Sequence, residues 1–146
     1  LPPYLKNETS GNPSAIDYRD WHVPLGRRFR ALKLWFVLRS YGAENLRSFI
    51  RSHVDWAVDL EKKIVDDGRF EIVAPRTLAL VCFRHLGGNE QTRELANSIN
   101  ASGSAYVTLS VIDEMAFIRV SIGSTWTQKH HVDSLWELID GHADSL

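Results

Sequence analysis

The stretch YVTLSVIDEMAFIRVSI, Tyr106 to Ile122, decides the fold class. Val107, Leu109 and Val111 alternate with Tyr106, Thr108 and Ser110. Ile118, Val120 and Ile122 alternate in the same way with Phe117, Arg119 and Ser121. A period of two is that of a strand with one covered face, and Asp113 and Glu114 between the runs are turn formers. The stretch therefore reads as an antiparallel hairpin that needs a layer packed against it.

Working outward, the neighbouring segments supply that layer. Upstream, Phe70 to Val73 and Leu78 to Arg84 read as two further strands around Pro75, closed by Gly87 and Gly88. Asn89 is expected to cap a short helix running to about Ala101, and Thr127 to cap a last helix from Lys129 to about Asp140. Farther upstream, Leu46, Phe49, Ile50, His53, Val54, Ala57, Leu60 and Ile64 recur at spacings of three and four, so Glu44 to Val65 is expected to be an amphipathic helix. The expected order is loop, two helices, two strands, helix, two strands, helix. This is an α+β fold, a small antiparallel sheet with packed helices.

Arg27 to Tyr41 lacks Gly and Pro and is followed by Gly42, which predicts another helix. Its apolar residues Phe29, Leu32, Leu34, Trp35, Phe36, Val37 and Leu38 surround the axis instead of forming one stripe, which points to surface meant for another domain or subunit. From Leu1 to about Pro24 the chain is rich in Pro, Asn, Ser, Gly and Thr and reads as a long loop, a length that usually signals a functional lid or a linker. The expected division is 1–25 as a mobile catalytic loop and linker, 26–67 as a helical pair, and 68–146 as a small α+β domain.

Composition narrows the function classes. The chain has 146 residues, 44% of them hydrophobic, which is enough for a core. Arg39, Arg51, Asp55 and Asp59 interrupt the longest apolar stretches, so none approaches the roughly 20 residues that span a bilayer, and no membrane association is expected. A net charge of -1 favours neither nucleic acid nor an anionic surface. The start at Leu1-Pro2-Pro3 has no secretion signal and reads like a cut. A single cysteine, Cys82, lies in an apolar run and is expected to be a buried structural thiol, consistent with a reducing, cytoplasmic setting.

Candidate chemistry within the chain is sparse. Six histidines are present, but His130 and His131 are adjacent and point about 100° apart on a helix, and no Cys or His stands at zinc spacing. Solvated or capping histidines are expected, and no metal site. There is no Gly-x-Ser-x-Gly elbow and no phosphate-cradling glycine loop. Arg27, Arg28, Arg30 and Lys33 oppose the dipole at a helix start, which calls for ion pairs with carboxylates of the fold or of absent parts. Tyr4 is open to two readings: an aromatic that docks the loop, or a phenol on a closing lid that donates a proton once water is excluded.

One run carries more. Tyr4-Leu5-Lys6, then Asp17 thirteen positions beyond Tyr4, then DYRDWHVPLGRRFR to Arg30 and Ala31-Leu32-Lys33-Leu34-Trp35, closely resembles the aromatic L-amino acid decarboxylases that depend on pyridoxal phosphate. The likeness continues more thinly through Tyr41-Gly42, Ile50-Arg51, Arg69-Phe70-Glu71 and Leu80 to Arg84. The resemblance implies the carboxy-terminal domain of a fold-type I enzyme, working as a homodimer with active sites at the subunit interface. It implies conversion of an aromatic L-amino acid to its amine and carbon dioxide. The cofactor's lysine follows a histidine in that family; here Lys129 precedes His130, so no Schiff-base lysine is expected in this chain. Pyridoxal phosphate would be bound mainly by an absent amino-terminal portion, without which this piece would be inactive.

By the same resemblance, Tyr4 matches the position that protonates the substrate carbon after decarboxylation, and relatives with Phe there tend to form an aldehyde. Gly26, with Leu25 beside it, matches a position next to the substrate ring, and Arg19 and Arg27 match positions near the site. The rival expectation is a stand-alone α+β ligand-binding or dimerisation module, suggested by the compact run of elements from Phe70 onward.

Overall fold

Good helix formers from Ala31 onward and a glycine stop at Gly42 produce α1, Arg30–Tyr41, in the computed structural model. The structure describes residues 3, 6, 11, 12, 14, 16–18, 21 and 28–146. Helix α2 follows at Ala43–Asp67, then strands β1, Phe70–Ile72, and β2, Leu80–His85. Helix α3, Asn89–Ala101, leads to β3, Thr108–Ile112, and β4, Met115–Ser121, and α4, Lys129–Ala143, closes the order. Every helix and strand expected from the sequence is present, while the expected loop over 1–24 lies mostly outside the described residues. The chain divides into two compact units, 1–42 and 43–146.

The second unit is built on an antiparallel sheet in the order β1-β2-β4-β3. Its register explains the core. Val81 pairs with Val120, Phe83 with Ile118, and Ile118 also with Leu109, so these apolar side chains share one face. Against that face lie Ala57, Leu60 and Ile64 of α2, Leu95, Ala96 and Ile99 of α3, and Val132, Ile139 and Ala143 of α4. On each helix these positions fall on one side of a 3.6-residue period, which makes one buried stripe per helix. Gly68, at φ 79°, ends α2 in the left-handed conformation that favours glycine and turns the chain into β1.

The opposite face of the sheet is mixed, with Leu80, Ile112, Met115 and Phe117 among its polar residues. Cys82, Arg119 and Thr108 stand in one row across it, since Arg119 pairs in register with both of the others. Cys82 is thus half-buried, a correction to the fully buried thiol expected from its apolar run; alternation turns it away from the helices. Two further residues depart from strict alternation. Phe117 shares the face of Arg119 and Ser121 yet is only 4% exposed, and Val111 is exposed although it shares the face of Leu109.

Both expected caps need correction. Asn89 is the first residue of α3, and its side chain reaches the β3–β4 turn: Nδ2 donates to Glu114 O at 2.7 Å and Oδ1 accepts from Ala116 N at 2.9 Å. At the other end of the helix, Asn100 grips the start of β3, donating to Val107 O at 3.0 Å and accepting from Val107 N at 2.7 Å. Helix α4 is capped by Gln128, not Thr127. His131 completes a capping box, its Nδ1 accepting from Gln128 N at 3.1 Å.

Candidate functional site

The residues singled out from the sequence, Tyr4, Arg19, Leu25, Gly26 and Arg27, lie outside the described residues. Around them, the described parts of the first unit form local turns. Pro3 O accepts from Lys6 N at 3.2 Å, and Asn12 Oδ1 accepts from Ser14 N at 3.0 Å, a side-chain turn of the kind Asn favours. Tyr18 O accepts from Trp21 N, and the two rings meet edge to face at 5.8 Å. Both rings remain exposed. Helix α1 has no buried residue, and Phe29, Leu32, Leu34, Trp35, Phe36, Val37 and Leu38 are all exposed. Arg28, Arg30 and Lys33 are exposed too, with no ion pair among the described residues, so the fold's described carboxylates do not supply the partners expected for them.

In the second unit the charged groups form networks that join elements. Asp133 Oδ1 accepts from Lys129 Nζ at 2.7 Å and from Lys63 Nζ at 2.8 Å, linking α4 to α2, and these two ammonium groups hold its carboxyl down at about 2. Lys129 is raised in turn by its bond to Asp133, with Asp59 also 3.5 Å away. Arg69, between α2 and β1, bonds Asp67, Asp140 and Asp144, and its hydrogen bonds lower Asp67. Burial pushes the Cys82 thiol up, which makes it a poor nucleophile. Among the described residues no group of His, Cys, Asp and Glu side chains could hold a metal ion.

A groove of about 540 Å³ opens where the chain enters β3 and leaves β4. Its walls include Tyr106, Thr108, Arg119 and Trp126, with Val132 and Leu135 of α4 as apolar lining. The sequence gives no motif for it, because the side chains come from a strand entrance, a strand, a loop and a helix that only the fold brings together.

The pyridoxal-dependent decarboxylase conserved domain matches residues 1–86, and the chain belongs to that family. It is 45% identical over 166 residues to tyrosine/DOPA decarboxylase 5 of Papaver somniferum, covering 99% of this chain and 32% of that protein. With L-tyrosine/L-DOPA decarboxylase 2 of Lophophora williamsii it shares 41% identity over 170 residues, covering 99% and 33%. Among solved structures, Oryza sativa TDC with PLP and tryptamine aligns at a TM-score of 0.80 and 41% identity, over 99% of this chain and 32% of that one. Rhodiola rosea 4-hydroxyphenylacetaldehyde synthase aligns at 0.81 and 47%, over 90% and 30%. The chain spans about a third of the length of these relatives and matches their carboxy-terminal part.

Lys63 and Lys129 are committed to carboxylates, while Lys6, Lys33 and Lys62 are exposed. Among the described residues, no helix is long and apolar enough to cross a membrane.

Proposed function

We propose that this chain is the carboxy-terminal portion of a pyridoxal-phosphate-dependent decarboxylase that converts an aromatic L-amino acid to its amine and carbon dioxide. The observation that carries the reading is the alignment of 99% of the chain with tyrosine/DOPA and tryptophan decarboxylases at more than 40% identity. The family match over 1–86 also spans the loop and α1, which a stand-alone α+β module would not need. In this reading the cofactor and its lysine belong to the amino-terminal portion of the longer chain, and the intact enzyme is a cytoplasmic homodimer.

When bound, the cofactor supplies the electron sink for loss of carbon dioxide. This chain contributes the 1–25 loop, on which the Tyr4 phenol delivers a proton to the substrate carbon that has lost its carboxylate. An ordinary phenol has a pKa of about 10 and carries that proton at neutral pH without a special shift. Gly26, with Leu25 beside it, leaves room for the aromatic ring, and Arg19 and Arg27 support the site.

The test uses the full-length gene product supplied with pyridoxal phosphate, with carbon dioxide, amine and aldehyde measured on L-tyrosine, L-DOPA, L-tryptophan and L-phenylalanine. Amine and carbon dioxide in equal amounts are expected, and in air-saturated buffer Tyr4→Phe should divert product to aldehyde, with dioxygen as the oxidant reduced to hydrogen peroxide and the nitrogen leaving as ammonia. The 47% identity to an aldehyde synthase makes the product ratio the decisive readout. Unchanged amine output from Tyr4→Phe would sink the role of the phenol, and turnover by the isolated 146-residue chain would sink the assignment of the cofactor's lysine to the missing portion.

A further inference from the structure

The groove between the β3 entrance and the amino-terminal end of α4 joins two features that are seldom left uncovered together. Tyr106 and Trp126 are 83% and 84% exposed, the most exposed of the large apolar and aromatic side chains among the described residues. Both line the same groove as Arg119. Trp, Tyr and Arg are the residue types that dominate binding hot spots, because each combines a large apolar body with a polar or charged tip.

Arg119 is the cation of this group. Arg69, just before β1, and Arg76 and Arg84 each hold a carboxylate, whereas Arg119, like Arg93 of α3, makes no ion pair among the described residues. The fixed fork of a guanidinium is best matched by a carboxylate, and apolar Val132 and Leu135 in the lining favour an occupant with an apolar part beside its charge.

We propose that this groove docks an acidic segment from the amino-terminal portion of the longer chain, with its carboxylate on Arg119 and its apolar part against Tyr106 and Trp126. The proposal rests on reading the chain as the carboxy-terminal portion of such an enzyme. The relatives carry about two-thirds of their length outside the matched region, which in this reading leaves a long stretch of the same polypeptide available to cover the groove. The groove's volume falls within the range that accepts a few side chains.

Hydroxyl-radical footprinting of the full-length protein, read by mass spectrometry at Tyr106 and Trp126, tests it. Both residues should be protected at every protein concentration. Arg119→Glu should abolish that protection, and Arg119→Lys, which keeps the charge, should retain most of it. Oxidation at the rate of open side chains in the unsubstituted protein overturns the proposal without need of a variant. Protection lost on dilution identifies a second copy as the occupant, and protection that appears only with an added aromatic amino acid identifies a small ligand; either result overturns it as well. Carbon dioxide release from the same preparation separates the two ideas. Turnover with an open groove sinks only the docking, and protection without turnover sinks only the decarboxylase reading.

Discussion

Asp133 shows how much one carboxylate can link in this fold. Two ammonium groups from different helices converge on one of its oxygens and hold its carboxyl at about 2, below the roughly 3.9 of an unfolded aspartate. A depressed folded value means that the folded state binds the proton less readily than the unfolded one. The stabilisation is therefore complete above about pH 4 and is lost as pH falls through about 2. Asp133→Asn should flatten the decline of melting temperature across that acid window while changing little of its slope at neutral pH. A variant as acid-sensitive as the parent would show that other carboxylates govern the decline.

At the scale of elements, the β3–β4 turn is the clearest place where the chain tolerates an unfavourable backbone. Asp113 and Glu114 have φ of 48° and 65°, the left-handed pair that a two-residue hairpin of this twist requires. Glycine takes the second position without the Cβ conflict, and the Glu114 carbonyl that accepts from Asn89 belongs to the backbone and survives the change. Glu114→Gly should therefore stabilise the protein by roughly 0.5–1 kcal/mol, read as a higher urea midpoint. A lower midpoint would mean that the glutamate side chain contributes more than its conformation costs.

The same scale shows what could be read from the sequence. Strands and helices were legible because burial imposes periods of two and of three to four, as in Val81 and Phe83 or Leu60 and Ile64. The caps were not, because Asn89 turns to a hairpin about 25 positions away, and Gln128 gains its role from His131. Thr127 and Asn89 are ordinary capping types, so residue type alone selected them. Cys82 was misplaced because an apolar run does not say which face of its strand a residue occupies. The catalytic candidates came from the motif around Tyr4 and Asp17 to Arg30, whereas the Tyr106, Arg119 and Trp126 groove has no contiguous signature.

For the whole molecule, the two units differ in how they meet water. The 43–146 unit buries a continuous core between one sheet face and three helices. Helix α1 of the other unit leaves seven large apolar side chains exposed, counting Phe29 at its amino-terminal end. A bare surface of that kind is an association site rather than a stable solvent face.

That exposure bears on how the polypeptide must be handled in a cell. A helix that is apolar all round has affinity for any other apolar surface, including that of chaperones and of other unfinished chains. Produced on its own, the 146-residue chain should partition into aggregates and chaperone complexes. Replacing Leu34 and Trp35 with glutamate should return it to the supernatant, as sedimentation of lysates would report.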